Sequence, residues 1–267
     1  MTRTIRSLKL AEIQTLLDWA AAEGWNPGLD DAVPFQAADP NGFLGAFVDD
    51  VMVAGISAVA YDAHFGFIGL YICHPDWRGQ GHGKAVWDTA MAYLGDRIIG
   101  LDGVPEQRAN YTKIGFVGAY ETIRMSGTLA AADHALRNGR LEDIREIDRQ
   151  CFPSQRDGFL RRWIAEPRAC TIHWTNGVVD GYAVSRTCHE GRKIGPLVAH
   201  TIDAAIHVLS AHSGFIHLDV PAYQTEWIAA LSNLGIIPGF ATQRMYRGHP
   251  PATCADYVFG VSTLELG

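Results

Sequence analysis

Apolar and polar positions in the first half of the chain switch between helical and strand spacings. Helical spacing, clearest at Ile13, Leu16, Leu17 and Ala20, predicts helices over 10–22, 30–38, 83–94 and 106–114. Continuous apolar runs separated by short polar or glycine breaks predict strands over 5–8, 43–48, 51–61, 65–73, 97–101 and 116–125. This order predicts an α+β domain, in which a mixed and mostly antiparallel sheet is flanked by helices.

The second half of the chain repeats this plan. The pattern there predicts helices over 141–150, 159–165, 202–210 and 225–234. Predicted strands lie near Thr171, Val178 and Lys193, over 215–220, and in the residues after the last helix.

Matching segments in the two halves indicate an internal duplication. Residues 115–125 (GFVGAYETIRM) align without a gap on 235–245 (GIIPGFATQRM). Residues 101–105 resemble 218–221, and an Ile-Gly pair at 68–69 matches another at 194–195. The matches come in the same order, and their period is far longer than that of a solenoid repeat. We therefore predict two tandem domains, 1–127 and 140–267, joined by a linker over 128–139.

A glycine-rich segment, HPDWRGQGHGK, joins the strand ending at residue 73 to the helix over 83–94. Glycines allow close approach of a backbone to a ligand, and a helix start offers unpaired N–H groups and a positive dipole end. Such a loop is a receptor for a pyrophosphate. The candidate residues are Arg78, Gly79, Gln80, Gly81, His82, Gly83 and Lys84, with Arg78 and Lys84 adding positive charge.

Two other interpretations of this loop are a plain strand-to-helix connection and a dinucleotide-binding turn. Asp102 at the end of the next strand would suit the second as a ribose-binding acid. Its glycines, however, are spaced G-x-G-x-G after an antiparallel meander. The dinucleotide motif is G-x-G-x-x-G directly after the first strand of a parallel sheet.

The loop and a later motif together resemble the GNAT N-acetyltransferase superfamily. P-x-x-R-G-x-G-x-G is followed by a helix, a strand and then N-Y-x-K-x-G-F. The residues that carry the resemblance are Pro75, Arg78, Gly79, Gly81, Gly83, Asn110, Tyr111, Lys113, Gly115 and Phe116. The resemblance covers the first domain well and the second in outline, as in bacterial tandem GNAT proteins with a divergent second copy.

The resemblance implies an acetyl-CoA-dependent N-acetyltransferase that acts by direct transfer on a small-molecule amine or a peptide amino group. The loop and Asn110 would bind acetyl-CoA, and a backbone N–H at Ile72 or Cys73 would meet the thioester carbonyl. Tyr111 would protonate the departing thiolate, or alternatively serve only as a packing aromatic. A non-catalytic acyl-CoA-binding regulatory module is the alternative function.

The residues that would bind the acceptor match the family pattern less closely than the residues of the glycine loop do. The asparagine with which the family motif often begins is not evident in 104–107. Asp102 and Glu106 are candidates for the general base or for an ammonium anchor, and equally for cap or turn residues. Candidates for acceptor binding, or alternatively solvated turn and strand-end residues, are Trp25, Asn26, Asp30, Asp31 and Asp219, the last being the repeat partner of Asp102.

The second copy lacks the features that the first copy would use. The chain passes from Val198 through Ala199-His200-Thr201 into a helix, without a glycine loop. Leu231 stands where the first copy has Tyr111, and Asn233 where it has Lys113. We therefore expect one acetyl-CoA per chain, with the second domain forming a wall of the acceptor cleft.

Composition and charge argue against several other classes of protein and of site. A net charge of −7 over 267 residues and a pI near 5.8 argue against nucleic-acid binding. An odd number of cysteines without C-x-x-C pairs, no apolar signal core and no long apolar run favour a cytoplasmic protein with neither disulfides nor membrane spans. The histidine spacings argue against a metal site, and a thiol nucleophile at Cys188 is disfavoured because its neighbours on a hairpin point apart.

Overall fold

The computed structural model describes residues 2–130 and 137–267. The helices are α1 Leu10–Ala22, α2 Ala32–Ala38, α3 His82–Leu94, α4 Arg108–Lys113, α5 Leu141–Cys151, α6 Asp157–Trp163, α7 Ile202–Ser210 and α8 Thr225–Asn233. The strands are β1 Arg3–Ser7, β2 Phe43–Val48, β3 Val51–Ala60, β4 Phe65–Cys73, β5 Ile98–Gly103, β6 Val117–Leu129, β7 Arg137–Asn138, β8 Ala169–Thr175, β9 Val178–Thr187, β10 Arg192–Ala199, β11 Gly214–Pro221, β12 Ile237–Arg247 and β13 Val258–Gly260.

These strands form one continuous mixed sheet that runs through both domains. Its order is β1-β2-β3-β4-β5-β12-β6-β11-β10-β9-β8-β7, with β13 paired to β10. Only β4–β5 and β10–β11 pair in parallel, one pair in each half of the sheet. The predicted α+β architecture with two tandem units is therefore confirmed.

The closing strands of the two domains are exchanged across the centre of the sheet. Strand β12 of the second domain pairs with β5 of the first, and β6 of the first domain pairs with β11 of the second. The two exchanged strands also pair with each other. Backbone hydrogen bonds therefore join the domains in one structural unit, and the C-terminal half of the chain forms part of the first domain's sheet.

Helices cover both faces of the first domain's sheet, so a ligand can reach the sheet only where neighbouring strands separate. Helix α3 packs on one face over Val53, Ile56 and Ile68. On the other face, α1 and α2 share a core with α5 and α6 of the second domain, and Phe35 stacks on Trp163 at 6.1 Å. This shared apolar core explains why the second domain packs beside the first.

Some element boundaries differ from the sequence prediction. Strand β5 continues to Gly103, so Asp102 lies in a strand rather than in a turn, and the predicted helix near 106–114 is a 3-10 turn over Pro105–Gln107 followed by the short α4. Residues 128 and 129 of the predicted linker belong to β6, where they pair with β11. Residues 131–136 of that linker lie outside the described residues.

Candidate active site

A cleft opens where the two parallel strands of the first domain separate. Strands β4 and β5 are paired from Phe65 to Ile68 on β4, and beyond that point they diverge. The separation coincides with a register shift between β3 and β4 and with a left-handed backbone at Leu70 (φ 47°). The resulting cavity has a volume of about 620 Å³. It is large enough for a small-molecule site.

The wall formed by β4 directs a backbone N–H into this cleft. The N–H of His74 donates to the carbonyl of Val53 on β3, at 2.9 Å. Successive N–H groups of a strand point to opposite sides, so the N–H of Cys73 points away from β3 and toward the cleft. Both Ile72 and Cys73 line the cavity. Of the two predicted carbonyl-binding positions, the geometry therefore favours Cys73.

The glycine loop lies at the end of this wall, after a 3-10 turn over Pro75–Trp77. Gly79 and Gly81 have φ values of 77° and 81°, and a Cβ atom at either would meet open space. Gly81 is the N-cap of α3, whose first N–H groups face this space. The backbone here is therefore suited to an anion that approaches closely.

The charged side chains of the loop are held by neighbours. Arg78 donates to the carbonyl of Cys73 and pairs with Glu23, and it is the loop residue that borders the cavity. Lys84 pairs with Asp88 on the exposed surface of α3 at 2.5 Å. The Gln80 side chain donates to a loop carbonyl at 3.2 Å, and the His82 ring packs edge-on against Trp77.

Tyr111 lines the cavity from the face that α3 covers. Its ring stacks on Trp87, with centroids 5.6 Å apart, and contacts Phe116 edge-on. Burial raises the pKa of Tyr111 to about 12, so its hydroxyl is protonated at neutral pH. Its neighbour Asn110 is exposed, donates to the side chain of Gln107 and does not line the cavity.

Two buried ion pairs each connect an exchanged strand to the neighbouring strand of the other domain. The two pairs occupy equivalent positions in the sequence repeat. Asp102 on β5 accepts two hydrogen bonds from Arg244 on β12, at 3.0 and 2.8 Å. Asp219 on β11 accepts two from Arg124 on β6, at 2.8 and 2.9 Å. Each aspartate thus pairs with an arginine of the other domain.

The ion pairs give Asp102 a structural role beside its predicted role as a general base or an ammonium anchor. Both of its carboxylate oxygens are engaged by Arg244, and its side chain is fully buried although it borders the cavity. Asp219 is likewise engaged by Arg124 and is absent from the cavity lining, so the structure does not bring it together with the other predicted acceptor-binding residues. These residues hold the two domains together.

Most of the predicted acceptor-binding turn makes contacts between the domains instead. Asn26 donates to and accepts from the backbone of Glu190, and the carbonyl of Asp30 accepts a hydrogen bond from Arg168. Asp31 is buried between Arg168 and Arg186. The structure therefore does not place these three residues in the cavity lining, whereas Trp25 and Glu106 do line the cavity.

The cavity also contains residues that the sequence analysis did not single out. Arg124, Phe240 and Thr242 come from the exchanged strands, and Leu264 and Glu265 come from the C-terminal end of the chain. The repeated Ile-Gly pair was the available signal. A Cβ at Gly69 would lie 2.2 Å from the Glu265 carbonyl oxygen, and a Cβ at Gly195 would lie 2.4 Å from that of Val261. Both glycines thus allow the terminal segment to pass against a diverging strand.

The corresponding opening in the second domain is filled by the chain itself. Strands β10 and β11 are paired over Arg192–Ile194 and then diverge. Strand β13 pairs with the free part of β10, and the N–H of Val261 donates to the carbonyl of Asp219 on β11, at 2.9 Å. Helix α7 follows β10 closely, and the side chain of its N-cap Thr201 accepts a hydrogen bond from Ala204. This opening therefore has neither a glycine loop nor space between its strands.

The described residues offer little support for a metal site, a membrane span or a thiol nucleophile. Within residues 2–130 and 137–267, no cluster of three potential metal ligands occurs and no helix is both long and apolar enough to span a membrane. All five cysteines, which lie in these ranges, are unbonded. Burial raises the pKa of the Cys188 thiol, which disfavours the thiolate that a nucleophile needs.

Sequence comparisons match both halves of the chain and one relative along its full length. Residues 10–116 match the acetyltransferase (GNAT) family, and residues 144–260 match a second acetyltransferase (GNAT) domain. The holothin acyltransferase of Pseudoalteromonas sp. (strain SANK 73390) is 31% identical over 280 residues, which span 100% of this chain and 95% of the relative.

Solved structures of low sequence identity share the fold. A Pyrococcus horikoshii protein assigned as an acetyltransferase superposes with a TM-score of 0.84 at 18% identity, covering 99% of this chain and 96% of the other. A tandem GNAT protein from the clavulanic acid biosynthesis pathway superposes with a TM-score of 0.62 at 13% identity, covering 94% of this chain and 100% of the other. The alternative of a dinucleotide-binding fold is therefore wrong.

Proposed function

This chain belongs to the GNAT acyltransferase family, with two GNAT domains in tandem, and from that premise we propose that it transfers the acetyl group of acetyl-CoA to the amino group of a small molecule or peptide. The first domain binds the acyl donor and carries out the transfer. The second domain supports the cleft and contributes to its acceptor side. The full-length relative is named as a holothin acyltransferase, which supports acyl transfer as the reaction.

One observation carries this proposal, namely that the open cleft of the first domain connects three groups that an acyl transfer needs. The backbone at Gly79 and Gly81 leaves room for a pyrophosphate at one end. The N–H of Cys73 faces the middle of the cleft, and Tyr111 lines the same cavity. Their order along β4 and α4 suits an extended CoA arm whose thioester lies between the diverging strands.

Each of these groups has a chemical task. The N–H of Cys73 stabilises the negative charge that develops on the thioester oxygen as the amine attacks, because it is fixed in place before the reaction. Tyr111 gives its proton to the sulfur as the carbon–sulfur bond breaks. Its raised pKa keeps the phenol protonated at neutral pH, and the thiolate is a strong enough base in the transition state to take the proton.

The proposal is tested with acetyl-CoA and a panel of primary amines, with free thiol followed by a thiol-reactive chromophore. We expect amine-dependent thiol release, and titration calorimetry with acetyl-CoA should give one site per chain because β13 fills the second opening. Binding at one site without thiol release for any amine would favour the acyl-CoA-binding regulatory module. A stoichiometry of two would contradict the assignment of the second domain as a scaffold.

A further inference from the structure

The C-terminal segment places a carboxylate at the point where β4 and β5 separate. After β13 the chain crosses from the second domain to the first, where Ser57 and Tyr61 donate to the carbonyls of Glu265 and Leu266, at 3.2 and 2.9 Å. The backbone of Glu265 lies directly against Gly69, the first residue of β4 beyond its pairing with β5. Glu265 is one of the residues that line the cavity.

This carboxylate is buried, yet one of its oxygens has no partner. Glu265 is 5% exposed, and among the described residues its Oε2 atom accepts no hydrogen bond. It also forms no ion pair within these residues. A buried carboxylate without partners is costly, and its presence calls for a bound group that the cavity would hold.

The cations near Glu265 are engaged by other groups. Burial lowers the pKa of Lys193, and the negative charge of Glu265 partly opposes this lowering and also helps to raise the pKa of Arg124, so both cations lie within its electrostatic reach. Arg124, however, is paired with Asp219, and the Lys193 ammonium donates to the carbonyl of Trp25 at 3.0 Å. Neither cation forms an ion pair with Glu265 within the described residues, and Glu265 borders the cavity, so its carboxylate is the group that a cationic ligand there would meet.

Glu265 and Tyr111 approach the cavity from opposite faces of the sheet. Tyr111 packs in the core beneath α3, together with Tyr71 and Cys73. The two cations within electrostatic reach of Glu265, Arg124 and Lys193, both donate to the carbonyl of Trp25, which packs against the core beneath α1 and α2. A thioester between the strands would thus have a proton donor on one side and a proton acceptor on the other.

We propose that Glu265 is a catalytic residue, which binds the acceptor as an ammonium ion and removes its proton. The inference rests on the proposed function, because it concerns the amine that attacks the thioester. A buried carboxylate without a partner is suited to a cation that arrives with three N–H donors. This role also gives the second domain a direct part in the reaction, since the chain reaches Glu265 only after β13 has filled the second opening.

The protons balance in the following way. An ammonium acceptor gives one proton to the carboxylate of Glu265, and its freed nitrogen forms a bond to the acyl carbon. The carbon–sulfur bond breaks, and the sulfur takes the proton of Tyr111. A second proton leaves the nitrogen as the amide forms and restores the phenol through the cavity solvent, while Glu265 releases its proton to bulk solvent. The net products are the amide, the free thiol and one proton.

Glu265→Gln tests this role because the amide is isosteric but does not accept a proton from an ammonium ion. We use acetyl-CoA with two acceptors: an alkylamine from the panel above, which is cationic at neutral pH, and O-methylhydroxylamine, which is a free base there. Loss of a positioned general base should lower kcat/KM for the alkylamine by roughly 10²- to 10⁴-fold. O-methylhydroxylamine and acceptor-free hydrolysis of acetyl-CoA should be nearly unaffected.

The pH profile provides a second readout. In the Glu265→Gln variant, the rate with the alkylamine should follow the free-base fraction and rise about tenfold per pH unit below the acceptor pKa. The wild-type profile should be flatter. Glu226→Gln, an exposed change of the same chemistry on α8, should leave rates and profile unchanged.

The outcomes separate the two proposals. If the wild-type protein releases no thiol with any amine, the proposed function fails. If it acetylates the alkylamine and Glu265→Gln retains that rate and profile, the assignment of Glu265 is overturned while the function stands. Equal losses with both acceptors would also overturn it, because a general defect in the cleft does not depend on the protonation state of the acceptor.

Discussion

The two domains open their sheets at equivalent places but use the openings differently. In the first domain, β4 and β5 diverge beyond Ile68 and leave a cavity of about 620 Å³. In the second, β10 and β11 diverge beyond Ile194, and β13 occupies the space between them. The comparison shows that a duplicated fold can keep its architecture while a later strand of the chain occupies in one copy the opening that forms a cavity in the other.

The exchanged strands explain why the second copy is nevertheless needed. Strand β12 completes the first domain's sheet beside β5, and Arg244 on this strand engages the buried Asp102. The first domain alone would expose the edge of β5 and bury an aspartate without its partner, which is costly. One domain therefore carries the open cleft, and the other supplies part of its structure.

The largest expected difference between the domains concerns proton donation, because Tyr111 has Leu231 as its repeat partner. Tyr111→Phe should preserve acetyl-CoA affinity and lower kcat by roughly 10²- to 10⁴-fold, the usual contribution of a positioned general acid. Tyr93→Phe is the matched control, because its phenol also has a pKa of about 12 but lies on α3 outside the cavity. Steady-state kinetics check both variants, and an unchanged kcat for Tyr111→Phe would make this residue a packing aromatic.

The glycine loop provides the next test. Gly81→Val places a side chain in the open space at the start of α3, and we expect the acetyl-CoA affinity to fall at least about 100-fold because the anion is displaced. Gly235→Val has a similar backbone, with φ 79° against 81°, and equally open surroundings in the second domain. Both variants should lose about 1–2 kcal/mol of stability through left-handed strain. Titration calorimetry that gave equal affinities for both would contradict the loop assignment.

The reciprocal ion pairs predict that the two domains unfold together. Arg244→Ala and Arg124→Ala each leave a buried aspartate uncompensated, so each should lower the free energy of unfolding by about 3–5 kcal/mol. Urea unfolding followed by fluorescence and circular dichroism should show one transition, shifted by a similar amount in both variants. A variant that destabilised only one of two separate transitions would argue against this coupling.

Local patterns predicted most of the fold, because helix and strand spacings are properties of neighbouring residues. The cysteine, glycine and tyrosine positions at the cleft were predicted from the family resemblance, which two motifs of the first domain carry. The strand exchange was not predictable from such patterns, since β6 and β12 would have the same alternation beside either partner. Asp102 illustrates the consequence: its partner Arg244 is 142 residues away, so the sequence did not indicate that its carboxylate was engaged.

The C-terminal segment was missed for a related reason. Residues 261–267 form a short apolar stretch with one acid, and nothing local distinguishes it from an ordinary chain end. Its position is fixed by Gly69 and Gly195, which are far away in the sequence. The repeated Ile-Gly pair indicated only the duplication, so the segment that approaches these glycines could be identified only in three dimensions.

The smallest effect that we predict comes from the two buried aspartates, Asp102 and Asp219, whose pKa values shift in opposite directions. Burial opposes ionisation of both. For Asp219, the attraction of Arg124, Lys193 and Arg186 outweighs burial and lowers its pKa. For Asp102, burial outweighs the attraction of Arg244, and the negative charges of Asp219 and Glu265 add to it, so its pKa is raised.

Linkage converts these shifts into opposite dependences of stability on pH. The lowered pKa of Asp219 contributes stability above the unfolded value of about 3.9, and this contribution is lost as the pH falls through the folded value. The raised pKa of Asp102 contributes stability below the unfolded value, and this contribution is lost as the pH rises through the folded value.

Urea unfolding between about pH 7 and 3.5 compares the wild-type protein with Asp219→Asn and Asp102→Asn. On acidification, the wild-type advantage over Asp219→Asn should shrink, whereas the difference from Asp102→Asn should shift in favour of the wild type. Parallel changes in both comparisons would show that the two pairs experience the same electrostatic surroundings. The assignment of opposite pKa shifts to Asp219 and Asp102 would then be wrong.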